Sequence, residues 1–149
     1  MATKLTIRPV APQDISRILE IEKDCFPQGA YSKTRLEKLS RKHGRDFMVA
    51  QLTDQIAGYI LAYDKKSVVD FDSLAVAKEY RKLGIGRTLS NFILQKFHKK
   101  GLKKASLEVR TSNQGAISLF QDLDFKITRT IKRYYRDGED AYVMKRSKI

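Results

Sequence analysis

The stretch LAVAKEYRKLGIGRTL, Leu74 to Leu89, decides the fold. An apolar run, Leu74-Ala75-Val76, gives way to a polar segment. Arg81-Lys82-Leu83-Gly84-Ile85-Gly86 follows, and then an amphipathic pattern of helical period. The layout is strand, glycine-bearing turn, helix. Such a turn gathers backbone N–H groups into one concavity, and the positive end of the helix dipole adds to them. A phosphate or pyrophosphate is stabilised in that setting. Gly84 and Gly86 can take φ > 0 and let a ligand approach the backbone closely. Two glycines ahead of a helix also suit an ordinary tight turn. Two rival phosphate motifs are excluded by the residues themselves. A P-loop ends in Gly-Lys-Ser/Thr, whereas Gly86 is followed by Arg87-Thr88, and the dinucleotide fingerprint needs a third glycine.

The chain has 149 residues, which favours a single domain over 1–149, and 42% of them are hydrophobic, enough for a sizeable core. No apolar run approaches the ~20 residues of a membrane span, and MATKLTIRPV lacks the apolar core of a signal peptide. A lone cysteine, Cys25, excludes an internal disulfide and suits a reducing, cytoplasmic setting. No thiol-activating motif surrounds it, so it reads as a small buried hydrophobe. His43 and His98 lie far apart, and no Cys/His cluster offers metal-ligand spacing. Lys and Arg number 30 against 17 acidic residues, a net charge of +13. That balance suits an anionic partner, such as the phosphates of a ligand, acidic peptides or RNA, and equally a solubilising surface.

Around the central stretch the pattern alternates between strand and helix periods. Lys4 to Arg8 reads as a strand, ended by Pro9 and Pro12. Ile15, Ile18, Leu19 and Glu22 give a helix that stops before Pro27. Ser32 is a helix N-cap for the segment carrying Leu36 and Leu39. Phe47 to Leu52 and Ile56 to Tyr63 form a hairpin, and Val68 to Val76 is a long strand. Its alternation puts Asp70, Asp72, Leu74 and Val76 on one side. The two aspartates would attract a cationic amine, but a solvated edge is the simpler account. Arg87 to Lys100 is a helix with Leu89, Phe92, Ile93 and Phe97 on one face. Lys103 to Arg110 is a strand with Glu108 opposite in sense to Leu107 and Val109. Ser112 or Asn113 caps a short helix carrying Phe120, and strands over Phe125 to Tyr134 and Ala141 to Lys145 close the chain. The mixture of hairpins and crossovers gives an α/β fold with a mixed sheet.

Three blocks carry a family resemblance. Arg81-x-x-Gly84-x-Gly86 resembles the acetyl-CoA pyrophosphate loop of the GNAT N-acetyltransferases. LEVRTSNQGAISLF (Leu107 to Phe120) and YYRDGEDAYVMKR (Tyr134 to Arg146) resemble segments of the protein N-terminal acetyltransferases of the RimI-like and Ard1 types. The resemblance implies the GNAT fold: a mixed, mostly antiparallel sheet whose fourth and fifth strands splay apart, flanked by helices. It implies acetyl-CoA as cosubstrate. Its pyrophosphate would lie on Arg81, Lys82, Leu83, Gly84, Ile85, Gly86 and Arg87, and its pantetheine amides would pair with the backbone of Leu74, Ala75 and Val76. Asn113 matches an asparagine that contacts the pantetheine arm; it is also a natural N-cap. Phe120 stands on the cofactor side, where the family commonly has a tyrosine that serves as general acid.

Transfer of acetyl from a thioester to an amine needs a neutral amine, a stabilised oxyanion and a departing thiolate. An α-amine with pKa near ~8 needs only a modest base, whereas lysine near ~10.4 needs more. By the resemblance Glu108 is the base; without it, an exposed glutamate paired with an arginine accounts for the residue. Tyr134 and Tyr135 match paired tyrosines at the peptide site, with Tyr134 a substitute acid, and a strand end exposing aromatics is the alternative. Tyr31 would contact the acceptor or serve as a packing aromatic. The resemblance implies direct transfer to a protein N-terminal α-amine, with a ribosomal protein among the acceptors. A lysine side chain, polyamine or small amine is a second class of acceptor. A weakly active CoA-binding domain docking on a nucleic-acid-rich assembly is a third reading, motivated by Phe120 and the charge.

Overall fold

A computed structural model describes residues 4–149. Seven strands form one sheet in the order β1-β2-β3-β4-β5-β7-β6. They are β1 Leu5–Pro9, β2 Phe47–Leu52, β3 Gln55–Lys65, β4 Val68–Val76, β5 Lys104–Arg110, β6 Lys126–Ile131 and β7 Ala141–Arg146. The helices are α1 Ile15–Cys25, α2 Lys33–Lys42, α3 Ile85–Lys99 and α4 Gln114–Asp122. The chain divides into two compact units, residues 4–62 with Ser73–Ser90, and Tyr63–Asp72 with Asn91–Ile149.

In the first unit β1 and β2 pair antiparallel, as do β2 and β3, with a bulge at Ala50/Gln51. The core is built from Ile18 and Ile21 of α1, Leu36 and Leu39 of α2, and Phe47 and Tyr59 of the strands. The turn into α1 is fixed by Asp14, which accepts two hydrogen bonds from the Arg8 guanidinium (2.8 and 3.0 Å) and one from the Ala11 amide (2.7 Å). Burial opposes the charge on Asp14, but those donors outweigh it and hold the carboxyl below its ordinary range. Ser32 caps α2 as expected, its hydroxyl accepting from Arg35 N–H.

In the second unit β4 and β5 run parallel, with rungs from Val68↔Lys104 to Phe71↔Leu107. The rungs cover only the first half of β4, as splayed strands require. β5 pairs antiparallel with β7, and β7 with β6. Phe71, Phe120 and Phe125 pack edge to face at 5.4–5.8 Å, beside buried Leu107 and Met144.

Several element ends differ from the sequence reading by one to three residues, and two of the differences have a local reason. The third helix starts at Ile85, two residues before Arg87, because Ile85 is buried and draws the first turn in. The strand after α4 stops at Ile131, short of Tyr134. There Arg133 takes φ 53° and its amide donates to Asp140 (3.0 Å), so the chain leaves the ladder early. The polar segment after β4 also holds one turn of 3-10 helix, Lys78–Tyr80.

Candidate active site

The glycine-bearing turn has the geometry of an anion cradle. Lys82 takes φ 64° and Gly84 φ 80°, so the backbone reverses there before entering α3. A Cβ on Gly84 would meet nothing within 4 Å, so the glycine is required by its dihedral and leaves the space above it open. The first intrahelical bond of α3 runs from Thr88 N–H to Gly84 O (3.0 Å), and the Thr88 hydroxyl donates to the same oxygen (2.9 Å). The amides of Ile85, Gly86 and Arg87 therefore have no helical acceptor and point out of the N-terminus. Gly86 lies inside the helix without positive φ, so only one of the two glycines is used for its dihedral freedom. Lys82, Leu83 and Arg87 are exposed around the turn.

Arg81 folds back. Its Nε donates to Val76 O (3.2 Å) and its Nη2 to Cys25 Sγ (3.2 Å). The Val76 carbonyl, expected to face pantetheine, is thus already engaged on that side, and the Cys25 thiol also donates to it (3.5 Å). Leu74 and Ala75 continue the strand above it. Sequence reading missed Gly58: a Cβ there would sit 2.7 Å from Ala75 O and 3.3 Å from Val76 Cα. Only glycine lets β3 come that close to the end of β4.

In the same unit, Tyr31 is anchored through its backbone. Its amide donates to Glu22 Oε2 (2.8 Å), and Glu22 is buried at 2% exposure. Ser73 Oγ donates to the other oxygen of Glu22 (3.2 Å), which also takes the Tyr59 hydroxyl. The loop carrying Tyr31 is therefore held by a buried carboxylate with three donors.

The second unit gathers the titratable groups. Glu108 is exposed on β5, on a rung with Val143, and Asp70 is on a rung with Ser106 of the same strand. Burial, then the charge of Glu108, pushes the Asp70 carboxyl up to about 6. Asp72 accepts from the Tyr63 hydroxyl (2.9 Å). The Tyr134 hydroxyl is raised by burial and then by Glu108, Asp70 and Asp72, so all four groups share one field. Sequence reading placed Asp70 and Asp72 on a solvated edge. The signal that would have corrected it is the β4–β5 register, which no single strand discloses.

Tyr135 stacks edge to face on Tyr134 (5.0 Å) and lies under the Arg110 guanidinium (4.0 Å). Burial pushes its hydroxyl up to about 12, although Arg110 opposes this. Arg110 also holds Asp137 (2.8 Å) and Glu139 (2.9 Å), so the loop bearing both tyrosines is clamped to the end of β5. Asn113 caps α4, its Oδ1 accepting from Ala116 N–H (3.2 Å). Phe120 is 5% exposed within the aromatic triad. Its ring packs edge to face against Phe71 and Phe125. No group of three His, Cys, Asp or Glu among the described residues could hold a metal ion, and no described helix is long and apolar enough to cross a membrane.

The profile of the acetyltransferase (GNAT) family matches residues 15–125. The chain belongs to that family. The N-alpha-acetyltransferase of Saccharolobus solfataricus is 32% identical over 154 aligned residues, covering 95% of this chain and 92% of its relative. The crystal structure of Ard1 from Thermoplasma volcanium superposes with a TM-score of 0.92 at 27% identity, over 97% of this chain and 98% of that one. Naa50 of Arabidopsis thaliana, solved with the bisubstrate analogue CoA-Ac-MVNAL, gives 0.83 at 27% identity over 96% and 98%. The GNAT fold expected from the three motif blocks is the observed one. The chain is an acetyl-CoA-dependent N-acetyltransferase, and acetyl-CoA is its cosubstrate.

Proposed function

We propose that this N-acetyltransferase modifies the α-amine of a protein N-terminus. The observation that carries the reading is the carboxylate pair Asp70 and Glu108, in which burial and then the charge of Glu108 raise Asp70 to about 6. An α-ammonium with pKa near ~8 gives its proton to such a base without a large uphill step, whereas a lysine side chain near ~10.4 does not. The relatives named N-alpha-acetyltransferase support the same acceptor.

In this reading Gly84, the amides of Ile85, Gly86 and Arg87, and the side chains of Lys82 and Arg87 hold the pyrophosphate, with Leu83 and Arg81 shaping the turn. Leu74 and Ala75 offer backbone to the pantetheine amides, and Val76 does so once Arg81 swings away. The side-chain amide of Asn113 has donors to spare after capping, and this reading assigns Asn113 and Phe120 to the cofactor. Tyr31, Tyr134 and Tyr135 are the residues this reading assigns to the acceptor. Glu108, seconded by Asp70, takes the ammonium proton. The neutral nitrogen attacks the thioester carbon, the C–N bond forms, the C–S bond breaks with the electron pair going to sulfur, and the nitrogen loses its surplus proton to solvent as the amide forms. Tyr134 stays protonated because its pKa is raised, so it offers a hydrogen bond to the departing thiolate. Cys25, a free thiol, suits a cytoplasmic setting, and the net charge of +13 favours contact with anionic assemblies such as the ribosome.

The test is CoA release with a panel of peptides that vary the first residue, alongside peptides with a blocked N-terminus and an internal lysine. Mass spectrometry locates the acetyl group. Acetyl on the α-amine of one N-terminal class supports the reading. Acetyl on lysine alone replaces it with the side-chain acceptor.

A further inference from the structure

The sheet face that presents Glu108 carries cations as well as carboxylates, and the rungs fix which side chains share it. Asp70 stands opposite Ser106, Ser106 opposite Lys145, and Lys145 opposite Lys126. One pleat further along, Glu108 stands opposite Val143, and Val143 opposite Arg129. Residues two apart on a strand project the same way, so Asp70, Glu108, Lys145, Lys126 and Arg129 share one face. Lys126 and Arg129 are three residues apart and would face opposite ways on a regular strand. The bulge between Ile127 and Arg129 sets aside one extra residue and returns Arg129 to the face of Lys126. Lys126 and Lys145 are direct cross-strand partners, an arrangement of like charges that weakens a sheet. All three cations are exposed, and none of their side chains has an ion pair or hydrogen bond among the described residues. A bulge and a repulsive pair thus bring three cations together, and no carboxylate of the described residues forms an ion pair with them.

We propose that Lys126, Lys145 and Arg129 form a subsite for an acidic side chain of the acceptor polypeptide, a few residues beyond its N-terminus. Neighbouring strands lie ~4.8 Å apart, so Lys145 on β7 stands one strand, about 5 Å, and Lys126 and Arg129 on β6 two strands, about 10 Å, across the sheet from Glu108, and each about 5 Å further from Asp70. An extended peptide advances ~3.4 Å per residue. With its α-nitrogen at Glu108 and Asp70, its third to fifth residues lie over the cations. An aspartate or glutamate there relieves the lysine–lysine repulsion, and the ammonium and the acid match the two ends of a dipolar face. The proposal deepens the α-amine reading and rests on it.

The experiment compares kcat/KM for peptides that share one N-terminal residue and carry glutamate, glutamine or lysine at residues three to five. The expected order is glutamate above glutamine above lysine, with the first step about 10-fold at low salt and smaller at high salt. In a K126Q/R129Q/K145Q variant the glutamate-to-glutamine ratio should fall to about one. The single change Lys145→Gln should raise the thermal midpoint by about 1–3 °C by removing the repulsion, which also shows that the fold survives. An equal rate for all peptides, or an unchanged ratio in the variant, overturns the subsite. So does a ratio of one combined with inhibition by short polyuridylate that the variant escapes, which would give the cations to a nucleic acid. Absence of α-acetylation on every peptide defeats the function reading itself; α-acetylation indifferent to residues three to five defeats the subsite alone.

Discussion

At Asp70 the carboxyl keeps its proton to about pH 6, because burial and the charge of Glu108 both oppose ionisation. The unfolded value is near ~3.9, so the folded state binds the proton more tightly. The resulting stability is complete below that value and is lost as pH rises through about 6. At pH 7.5 the ionised group destabilises the fold by on the order of 1–2 kcal/mol, after allowance for its contact with solvent. Asp70→Asn should therefore raise the thermal midpoint by about 2–6 °C at pH 7.5 and leave it unchanged at pH 4. If Asp70 seconds Glu108, the same variant also removes the inflection in kcat near pH 6, whereas Glu108→Gln lowers kcat by ~10²-fold at every pH. A pH-rate series on the two variants, with melting curves at both pH values, checks all three outcomes. Phe120 argues in the other direction. As a sequence feature it reads as a missing acid; in the fold it is one ring of a buried triad. Phe120→Tyr should lower stability by about 1–3 kcal/mol, from a phenol without a partner, and should not raise kcat. A faster, equally stable variant would return Phe120 to the catalytic site.

Among the elements, the turn between β4 and α3 was legible because its chemistry is local. Dihedral freedom at Gly84 and free amides at a helix start are properties of consecutive residues. Gly86 was overread, since the burial of Ile85 that draws it into the helix is a tertiary fact. Gly84→Val forces a β-branched residue to φ 80° with no steric contact to add to the strain. The expected result is acetyl-CoA affinity reduced ~10-fold or more, measured by calorimetry, with Gly84→Ala intermediate. The tyrosine loop was less legible. Tyr134 and Tyr135 read as the end of a strand, yet Arg110, 24 positions upstream of Tyr134, holds the loop through Asp137, Glu139 and the ring of Tyr135. Lysine cannot reproduce that planar fork and stack. Arg110→Lys should raise the KM for acceptor peptide ~5-fold or more while changing kcat less, because on the proposed reading the loop chiefly positions the acceptor and Tyr134 gives the thiolate only a hydrogen bond. Equal losses in kcat and kcat/KM would place the loop in the chemistry.

At the level of the whole molecule, what the sequence could not disclose is pairing between distant strands. The alternation in Val68 to Val76 and in Lys104 to Arg110 is visible in each strand alone. Only the parallel register sets Asp70 beside Ser106 and within the field of Glu108, turning a solvated edge into a carboxylate pair. Net charge, by contrast, is written in composition, and its consequence is kinetic. A chain at +13 attracts a polyanionic cosubstrate over distances that salt screens, with a Debye length of ~10 Å at 0.1 M. Acetyl-CoA carries its negative charge on phosphates remote from the reacting carbon, so screening weakens encounter and binding without altering the bond-making step. Raising NaCl from about 0.05 to 0.5 M should raise the KM for acetyl-CoA several-fold and leave kcat nearly constant. An uncharged competitor of the acceptor peptide should show the same inhibition constant at both salts. Steady-state kinetics with each substrate varied separately distinguishes the cases. A fall in kcat that parallels the rise in KM would mean that salt acts on the carboxylate pair, and that the field which draws in the donor also tunes the base.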